Sequence, residues 1–184
     1  ERVFEILDEK IEIKSPEDPV SFPNSDHSII FSNVSFAYDE RQSIVKDLTF
    51  SLPSGSTTAL VGPTGAGKST IANLLLRYYD VEKGTVSIGG IDVRNFSLSS
   101  LRSNIGLVSQ DPFLFDTTIR ENLLLASPSS SEEEIVSSLK VANAWDFVEK
   151  LPNGLNTLIG EKGIRLSMGE KQRLTLSRAI LKSP

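Results

Sequence analysis

Short apolar runs separated by turn-forming polar residues occupy the first part of the chain. Residues 29–36 and 48–52 are rich in β-branched and aromatic side chains, which predicts two strands. Residues 84–90, with glycines at both ends, predict a further strand and turn. Two short and mostly apolar segments, 57–61 and 105–109, predict buried strands. The pattern therefore predicts a sheet-containing region that extends to residue 109.

Helical spacing replaces these runs from Asp111 onward. Ser131-Glu132-Glu133-Glu134 has the spacing of a capping box, in which the serine and the last glutamate each bond the other's backbone N–H. Ser167 is placed to cap a final helix that runs from Gly169 to about Leu181. The residues expected in the core of this helical part are Ile135, Leu139, Ala142, Trp145 and Phe147.

The two ends of the chain carry patterns of their own. Val3, Ile6 and Leu7 fall on one face of a helix, as expected for the end of a longer helix. Residues 15–26 form a polar segment interrupted by prolines, which predicts a linker. The chain has no initiator methionine and stops abruptly after Pro184. We therefore expect it to be a fragment of a larger protein.

Composition limits the functions open to the chain. Its 184 residues include 39% hydrophobic and 23% charged side chains, values typical of a soluble globular domain. A formal net charge of −5 and the lack of any basic run argue against a nucleic-acid partner. The chain has no cysteine, which excludes disulfides and thiolate metal sites. No apolar run approaches the roughly 18–20 residues that span a bilayer.

The chemically most specific segment is Gly62-Pro63-Thr64-Gly65-Ala66-Gly67-Lys68-Ser69-Thr70, which fits the pattern G-x-x-x-x-G-K-[ST]. Its glycines let the backbone curl close to phosphate oxygens, and its N–H groups and the following helix N-terminus attract an anion. Lys68 can reach the β- and γ-phosphates, and the Ser69 hydroxyl can bind Mg²⁺. We predict that every residue of this phosphate loop, Gly62 to Thr70, contacts a nucleoside triphosphate.

Three motifs around the loop complete a known order. Val34-Ser35-Phe36-Ala37-Tyr38 precedes it, Val108-Ser109-Gln110-Asp111-Pro112 follows it, and Leu166-Ser167-Met168-Gly169-Glu170 comes last. In this order the chain resembles the nucleotide-binding domain of ABC transporters over nearly its full length. The resemblance implies ATP and Mg²⁺ as cofactors, with Tyr38 stacked on adenine and Gln110 touching Mg²⁺ or the attacking water.

The last motif resembles the family signature, Leu-Ser-Gly-Gly-Gln, but departs from it twice. Ser167 and Gly169 match, and the resemblance implies that they and Glu170 contact ATP held by an opposite subunit. Met168 replaces a glycine, and Glu170 replaces the glutamine. At a separation of about 8 Å and an effective dielectric of about 20, the Glu170 charge costs about 2 kcal/mol near a triphosphate before screening. These departures leave open whether the half-site supports turnover, and a capped helix without a ligand is the plainer alternative.

Two further segments resemble exporters within the family. They are Thr117-Thr118-Ile119-Arg120-Glu121-Asn122-Leu123 and Gly160-Glu161-Lys162-Gly163, of which the second is thought in exporters to contact the membrane domain. The N-terminal helix and linker match the join between a last transmembrane helix and an exporter nucleotide-binding domain. Solvated loop charges are the plainer explanation of both segments.

The resemblance implies an α/β fold, a P-loop NTPase core of the ABC ATPase type with a helical subdomain and an N-terminal antiparallel β part, incomplete at the C-terminus. The implied domains are 1–27, the end of a transmembrane-domain helix and a linker; 28–109, the ATP-binding core; 110–165, the Gln110 loop and helical subdomain; and 166–184, the signature and its helix. The implied partners are a second nucleotide-binding domain and the transmembrane domain of the same chain. The two nucleotide-binding domains would pair head to tail in a homodimer or a heterodimer. Nucleic acid is not expected as a partner. The fragment is expected to be soluble, and the full protein to lie in the cell membrane with this domain on the cytoplasmic side.

The family's catalytic carboxylates, an Asp-Glu pair ending an apolar strand after the signature, do not occur in this sequence, and neither does the histidine that follows them. We therefore expect the full protein to be an ATP-hydrolysing exporter, and this chain alone to contain no catalytic residue and to bind ATP without turning it over. A degenerate regulatory cassette and a non-transport ABC ATPase of DNA repair or translation stay open as alternatives. An unrelated P-loop kinase or GTPase leaves the Gln110 and signature motifs unexplained.

Overall fold

The computed structural model describes residue 4 and the ranges 11–39, 43–160 and 166–184. Clustering of the chain gives two compact units, residues 1–102 and 103–184. The helix expected over residues 1–10 lies, apart from Phe4, outside the described residues, and so does Glu161-Lys162-Gly163 of the second exporter-like segment.

An antiparallel sheet forms the frame of the first unit. Its strands, in the spatial order β2-β1-β3-β4, are β1 (Ile29–Ala37), β2 (Ser43–Leu52), β3 (Lys83–Ile88) and β4 (Ile91–Asp92). The first three contain the strands predicted at 29–36, 48–52 and 84–90, and Gly89-Gly90 form the turn between β3 and β4. The predicted N-terminal antiparallel β part is therefore confirmed.

A bulge sets the buried face of β1. Phe31, Val34 and Phe36 are all buried, although the first two are three positions apart instead of two. Between them Asn33 takes a positive φ of 50°, and the register with both neighbouring strands shifts there, which restores the alternation of buried positions. Gly84 of β3 lies against this bulge with a φ of 79°, and a Cβ on it would overlap carbonyl oxygens of β1. Only glycine fits at that position.

The buried strands predicted at 57–61 and 105–109 are wrong for this structure. Neither segment is a strand, and their apolar side chains are exposed: Val61 is 93% accessible, and Leu107 and Val108 are each nearly half exposed. A continuous apolar run is buried where neighbouring strands pair with it and other elements cover its faces. Among the described residues no strand pairs with either segment. Apolar composition alone therefore did not decide their burial.

Helix α1 (Lys68–Leu75) follows the phosphate loop and is held at its far end by arginine side chains. Arg102 of α2 (Leu98–Ser103) donates to the carbonyl oxygens of the two residues after α1, at 3.1 and 2.8 Å. A guanidinium at this end opposes the partial negative charge of the helix C-terminus. Arg77, which is buried, pairs with Asp80 at 2.8 Å. These contacts fix α1, and with it the position of the loop that precedes it.

The second unit is helical and has its own apolar core. Its helices are α3 (Ile119–Leu124), α4 (Glu132–Val141), α5 (Trp145–Val148) and α6 (Met168–Leu181). The core includes the predicted Ile135, Leu139 and Ala142, and the partly buried Trp145 and Phe147 pack against it, as predicted. None of the helices in the described part of the chain has the length and hydropathy needed to cross a bilayer.

Side-chain caps start three of the four α-helices described for this unit, α3 to α6. The pairs Thr118 with Glu121, Ser131 with Glu134, and Ser167 with Glu170 each form a complete capping box before α3, α4 and α6 respectively. The boxes at Ser131 and Ser167 confirm the two predicted helix starts. Each box satisfies two backbone N–H groups that the helix itself leaves without a partner.

Candidate functional site

The phosphate loop bends through two left-handed glycines directly into α1. Gly65 and Gly67 have φ values of 83° and 84°, a conformation that glycine adopts without steric cost. Gly67 is the N-cap of α1 and has no side chain to bond the first turn, whose first helical bond runs from the Ile71 N–H to the Gly67 carbonyl at 3.0 Å. The N–H groups of this first turn are therefore donors that an anion can accept from.

Lys68 lies over the loop and binds the loop's own backbone. Its Nζ donates to the carbonyl oxygens of Gly62 at 2.8 Å and Pro63 at 2.7 Å. Both acceptors are neutral, whereas a phosphate oxygen carries charge and forms a stronger bond with an ammonium group. The lysine can therefore exchange these carbonyls for phosphate oxygens at a net gain.

The donor set of this loop fits a triphosphate with Mg²⁺. The Ser69 side chain next to Lys68 is exposed and can supply a hydroxyl oxygen to the metal. A Cβ on Gly65 would meet nothing within 4 Å, so the loop crest is open to a ligand. No group of three or more His, Asp or Glu side chains among the described residues is arranged to hold a metal ion. Mg²⁺ beside a nucleotide takes only one or two protein oxygens, because phosphates and waters supply the others.

Tyr38, just after β1, is hydrogen-bonded to α1, the helix that follows the phosphate loop. Its hydroxyl is 3.2 Å from the Thr70 hydroxyl, and it accepts a hydrogen bond of 3.2 Å from the Asn73 amide. Thr70 is buried, whereas about half of the Tyr38 side chain is exposed. The structure thus brings together the aromatic residue and the loop that sequence reasoning assigned to one nucleotide. Adenine stacking on Tyr38 stays a prediction.

Gln110 lies in the second unit, in an exposed bend where the Ser109 hydroxyl donates to the Asp111 carbonyl at 2.7 Å. The backbone that follows is anchored by Asn122, whose amide exchanges hydrogen bonds with the Phe115 N–H and carbonyl at 2.9 and 3.0 Å. The anchor fixes the chain five residues beyond the glutamine and leaves the bend itself at the surface. A role of Gln110 as a Mg²⁺ ligand stays a prediction.

Arg178 of α6, the helix that follows the signature motif, also bonds to the segment that Asn122 anchors. It donates to the Phe113 carbonyl at 3.1 Å and to the Asn122 side chain at 3.0 Å. Burial lowers the pKa of the Arg178 guanidinium. The segment after Gln110 and the helix after the signature are therefore bonded to each other inside the second unit.

The signature motif forms the N-terminus of α6. The Ser167 hydroxyl donates to a Glu170 carboxylate oxygen at 2.7 Å and accepts from the Glu170 N–H at 3.3 Å, and the Ser167 N–H donates to the same carboxylate at 2.8 Å. The two bonds from Ser167 hold the pKa of the Glu170 carboxyl below its usual value. Met168 is more than half exposed, so its side chain points to solvent. Glu170 therefore has a structural role as a cap, which the charge argument from the sequence did not include.

The exchange of Glu170 for glutamine separates its cap role from its charge. Glu170→Gln keeps an oxygen that accepts from Ser167 but removes the negative charge. We expect ATP turnover of the full-length protein to be preserved or to rise, by up to about 10-fold, since water screens much of the roughly 2 kcal/mol estimated for this partly exposed group. Steady-state ATPase rates measure this.

Glu134→Gln is the matched control, because Glu134 and Ser131 exchange the two bonds of a capping box at the start of α4, as Glu170 and Ser167 do at α6. It is expected to change thermal stability by a similar small amount and to leave turnover unchanged. A large fall in turnover for Glu170→Gln alone would show that the carboxylate charge is needed in the site.

Sequence reasoning missed Asn73, Asn122 and Arg178. Asn73 lies three residues after Thr70, on the same face of α1, a spacing that can be read from the sequence once Thr70 is assigned. Asn122 is an amide directly before Leu123 and Leu124 in α3, and it is 1% exposed. A buried amide must have partners, but the sequence does not show that they lie in the segment after Gln110.

Comparisons with known proteins agree with the geometry. The family model described as ABC transporter matches residues 45–184. An ABC transporter ATP-binding protein of Bacillus subtilis is 44% identical over 184 residues, all of this chain and 30% of that protein. A heavy metal tolerance protein of Schizosaccharomyces pombe is 45% identical over the same length, 22% of that protein.

Two further matches are an ATP-binding/permease protein and the solved structure of an exporter. A Staphylococcus aureus protein named for multidrug export as an ATP-binding/permease protein is 43% identical over 99% of this chain and 32% of its own length. The solved structure of a bacterial Atm1-family ABC exporter with ATP bound superposes with a TM-score of 0.94 at 39% identity, over 100% of this chain and 32% of that one. The chain thus spans about a third or less of the relatives it matches.

Proposed function

Because the chain belongs to the ABC transporter family, we propose that it is the nucleotide-binding domain of an ABC exporter, in which MgATP binds between two such domains arranged head to tail. The motifs predicted this family, and membership of the family implies ATP binding. Two of the proteins named above are an ATP-binding/permease protein and an exporter, which supports a transmembrane domain in the same full-length protein and a place on the cytoplasmic side of a membrane.

The observation that carries the proposal is the phosphate loop itself. Lys68 and Ser69 begin an uncapped helix N-terminus, so a cation, a hydroxyl and several N–H groups converge on one small volume. Such a set stabilises a polyanion and fits few other ligands. The aromatic side chain of Tyr38 is hydrogen-bonded to the same helix, which supports a nucleoside as the remainder of the ligand.

Each residue has a definite task in this proposal. Lys68 leaves the Gly62 and Pro63 carbonyls and binds the β- and γ-phosphates, while Ser69 supplies a hydroxyl to the metal. Mg²⁺, when bound, neutralises charge on the phosphate oxygens. Ser167 donates its hydroxyl to the γ-phosphate held by the partner domain, together with the N-terminus of α6. ATP therefore bonds both domains and draws them together.

The proposal extends to turnover. Hydrolysis in the full-length protein breaks the contacts of Ser167 with the partner's ATP and reopens the pair, and the movement reaches the membrane helices through the Gln110 segment. These 184 residues contain no Asp-Glu pair at the end of an apolar run after the signature. The chain by itself is accordingly proposed to bind MgATP without sustained hydrolysis.

A cassette that binds ATP but turns it over slowly is the second candidate. The Ser167 hydroxyl donates to Glu170, and a γ-phosphate has to compete with that carboxylate for the same proton. This competition weakens the contact between Ser167 and the γ-phosphate, which would slow turnover more than ATP binding. Met168 and Glu170, the two departures from the family signature, raised the same possibility from the sequence.

Equilibrium dialysis of the full-length protein with labelled ATP tests the proposal. We expect saturable binding of about one ATP per chain, because each chain carries one phosphate loop, with competition by ADP and dependence on Mg²⁺. Steady-state hydrolysis on the same sample separates the two candidates: rapid turnover supports the exporter motor, and stoichiometric binding with negligible turnover supports the slow cassette. Binding that does not saturate contradicts both.

A further inference from the structure

Three aromatic rings meet beside α1. Phe36 lies edge to face against Tyr38, with ring centroids 4.9 Å apart and an interplanar angle of 86°. Tyr79 meets Tyr38 in the same way, at 5.0 Å and 84°, and lies 5.5 Å from Phe36. Phe36 is buried, whereas Tyr38 and Tyr79 are each nearly half exposed. The Tyr38 ring is thus supported by two perpendicular neighbours and still has surface open to a ligand.

The hydroxyl end of Tyr38 is fixed as well. It accepts a hydrogen bond from the Asn73 amide and shares another with the Thr70 hydroxyl, in which either oxygen can donate, both at 3.2 Å. Thr70 and Asn73 are three positions apart and share one face of α1, which begins at Lys68. A single rigid helix therefore carries the phosphate-binding lysine at its start and the two residues that hold the ring.

We propose that Asn73 is a positioning residue for base recognition: it locks the Tyr38 ring onto α1, so that the surface for the purine base is held at a fixed place relative to the phosphate loop. The inference rests on the proposed function and adds a residue to it. A ring already held in place loses no freedom when a base stacks on it, which makes binding tighter than to a mobile tyrosine. Asn73 itself does not contact the nucleotide.

Two conservative variants of the full-length protein test this role. Tyr38→Phe keeps the ring and removes the hydroxyl, and Asn73→Ala keeps α1, since alanine is the best helix former. Affinity is measured for MgATP and, in parallel, for magnesium tripolyphosphate, which has the phosphates but no base. For each variant we expect MgATP affinity to fall by about 3- to 10-fold, the usual worth of a hydrogen bond, with tripolyphosphate affinity unchanged.

The combined variant and a neighbouring tyrosine sharpen the test. The combined variant, Tyr38→Phe with Asn73→Ala, is expected to lose no more affinity than Tyr38→Phe alone, because the hydroxyl that Asn73 bonds is already absent in Tyr38→Phe. Tyr78→Phe is the control: Tyr78 is adjacent to Tyr79, but its ring lies against the Arg102 guanidinium at 5.0 Å, and it is expected to bind MgATP as the wild type does.

The outcomes separate this inference from the proposed function. Unchanged or tighter MgATP binding by Asn73→Ala, equal losses for both ligands, or additive losses in the combined variant overturn the positioning role. If Tyr38→Ala lowers MgATP affinity while Tyr38→Phe and Asn73→Ala do not, the nucleotide site stands and Asn73 has no part in it. Failure of the wild type to bind MgATP overturns both.

Discussion

Lys68→Ala in the full-length protein is expected to weaken MgATP binding by about 30-fold or more, which corresponds to about 2 kcal/mol for the loss of a charged hydrogen-bond donor to phosphate. Lys68 is the cation at the start of α1, and its ammonium group already lies over the loop on the Gly62 and Pro63 carbonyls. Removal of the ammonium leaves the N–H groups of the loop as the remaining donors. Equilibrium dialysis or calorimetry gives the affinity directly.

The control for Lys68→Ala is another lysine of the same unit. Lys83, at the start of β3, is exposed, and Lys83→Ala removes the same charge from the chain. MgATP affinity of that variant is expected to stay within about 2-fold of the wild type, because water screens an exposed charge. Equal losses for the two lysines would mean that net charge, and not a phosphate-binding loop, sets the affinity.

Ser167→Arg is expected to lower ATP turnover of the full-length protein by about 100-fold, the order of loss seen when a donor to a developing charge is removed. The substitution replaces the hydroxyl that we assign to the partner's γ-phosphate with a bulky side chain at the N-terminus of α6. MgATP affinity of a single chain is expected to change little, because that chain's own phosphate loop is intact. The pair of measurements is therefore turnover and single-chain affinity.

Ser131→Arg separates the loss of a helix cap from the loss of a ligand contact. Ser131 caps α4 with the same bonds that Ser167 makes at α6, so either substitution lowers stability by about 1 kcal/mol. Only Ser167→Arg is expected to stop turnover. A similar fall in turnover for both variants, or a parallel loss of affinity in Ser167→Arg, contradicts a contact across the dimer.

Features set by local chemistry were predictable from the sequence. The phosphate loop needs glycine at its left-handed positions and a lysine at the helix start, and Gly65, Gly67 and Lys68 meet those needs within four residues. The capping boxes at Ser131 and Ser167 likewise depend on a spacing of three residues. In each case the interacting groups are so close along the chain that the sequence nearly determines their geometry.

Features set by distant partners were not predictable. The apolar run 57–61 was expected to be a buried strand, but burial depends on strands that pair with it, and Val61 is 93% exposed in the structure. The bond between Tyr38 and Asn73 joins residues 35 positions apart, and the bond between Asn122 and Arg178 joins residues 56 positions apart. Residue types give no sign of which two amino acids such a bond will join.

The capping box formed by Glu170 changes what its charge was expected to do near ATP. From the sequence it was a repulsive charge beside a triphosphate. In the structure it accepts from both the N–H and the hydroxyl of Ser167, so it also fixes the start of α6. A glutamate at this position is thus compatible with a well-formed signature helix, and besides its charge it adds a competition with the ligand for the Ser167 proton.

A mixed dimer of the two impaired variants tests whether each ATP is held by the phosphate loop of one domain and the signature of the other. Lys68→Ala and Ser167→Arg chains, carrying different affinity tags, are co-expressed, and the mixed dimer is purified through both tags. In a head-to-tail pair one site combines both substitutions and the other has none. The account predicts ATP turnover in the mixed dimer at up to about half the wild-type rate, since one of two symmetric sites is intact. Turnover no higher than that of either parent homodimer would contradict it.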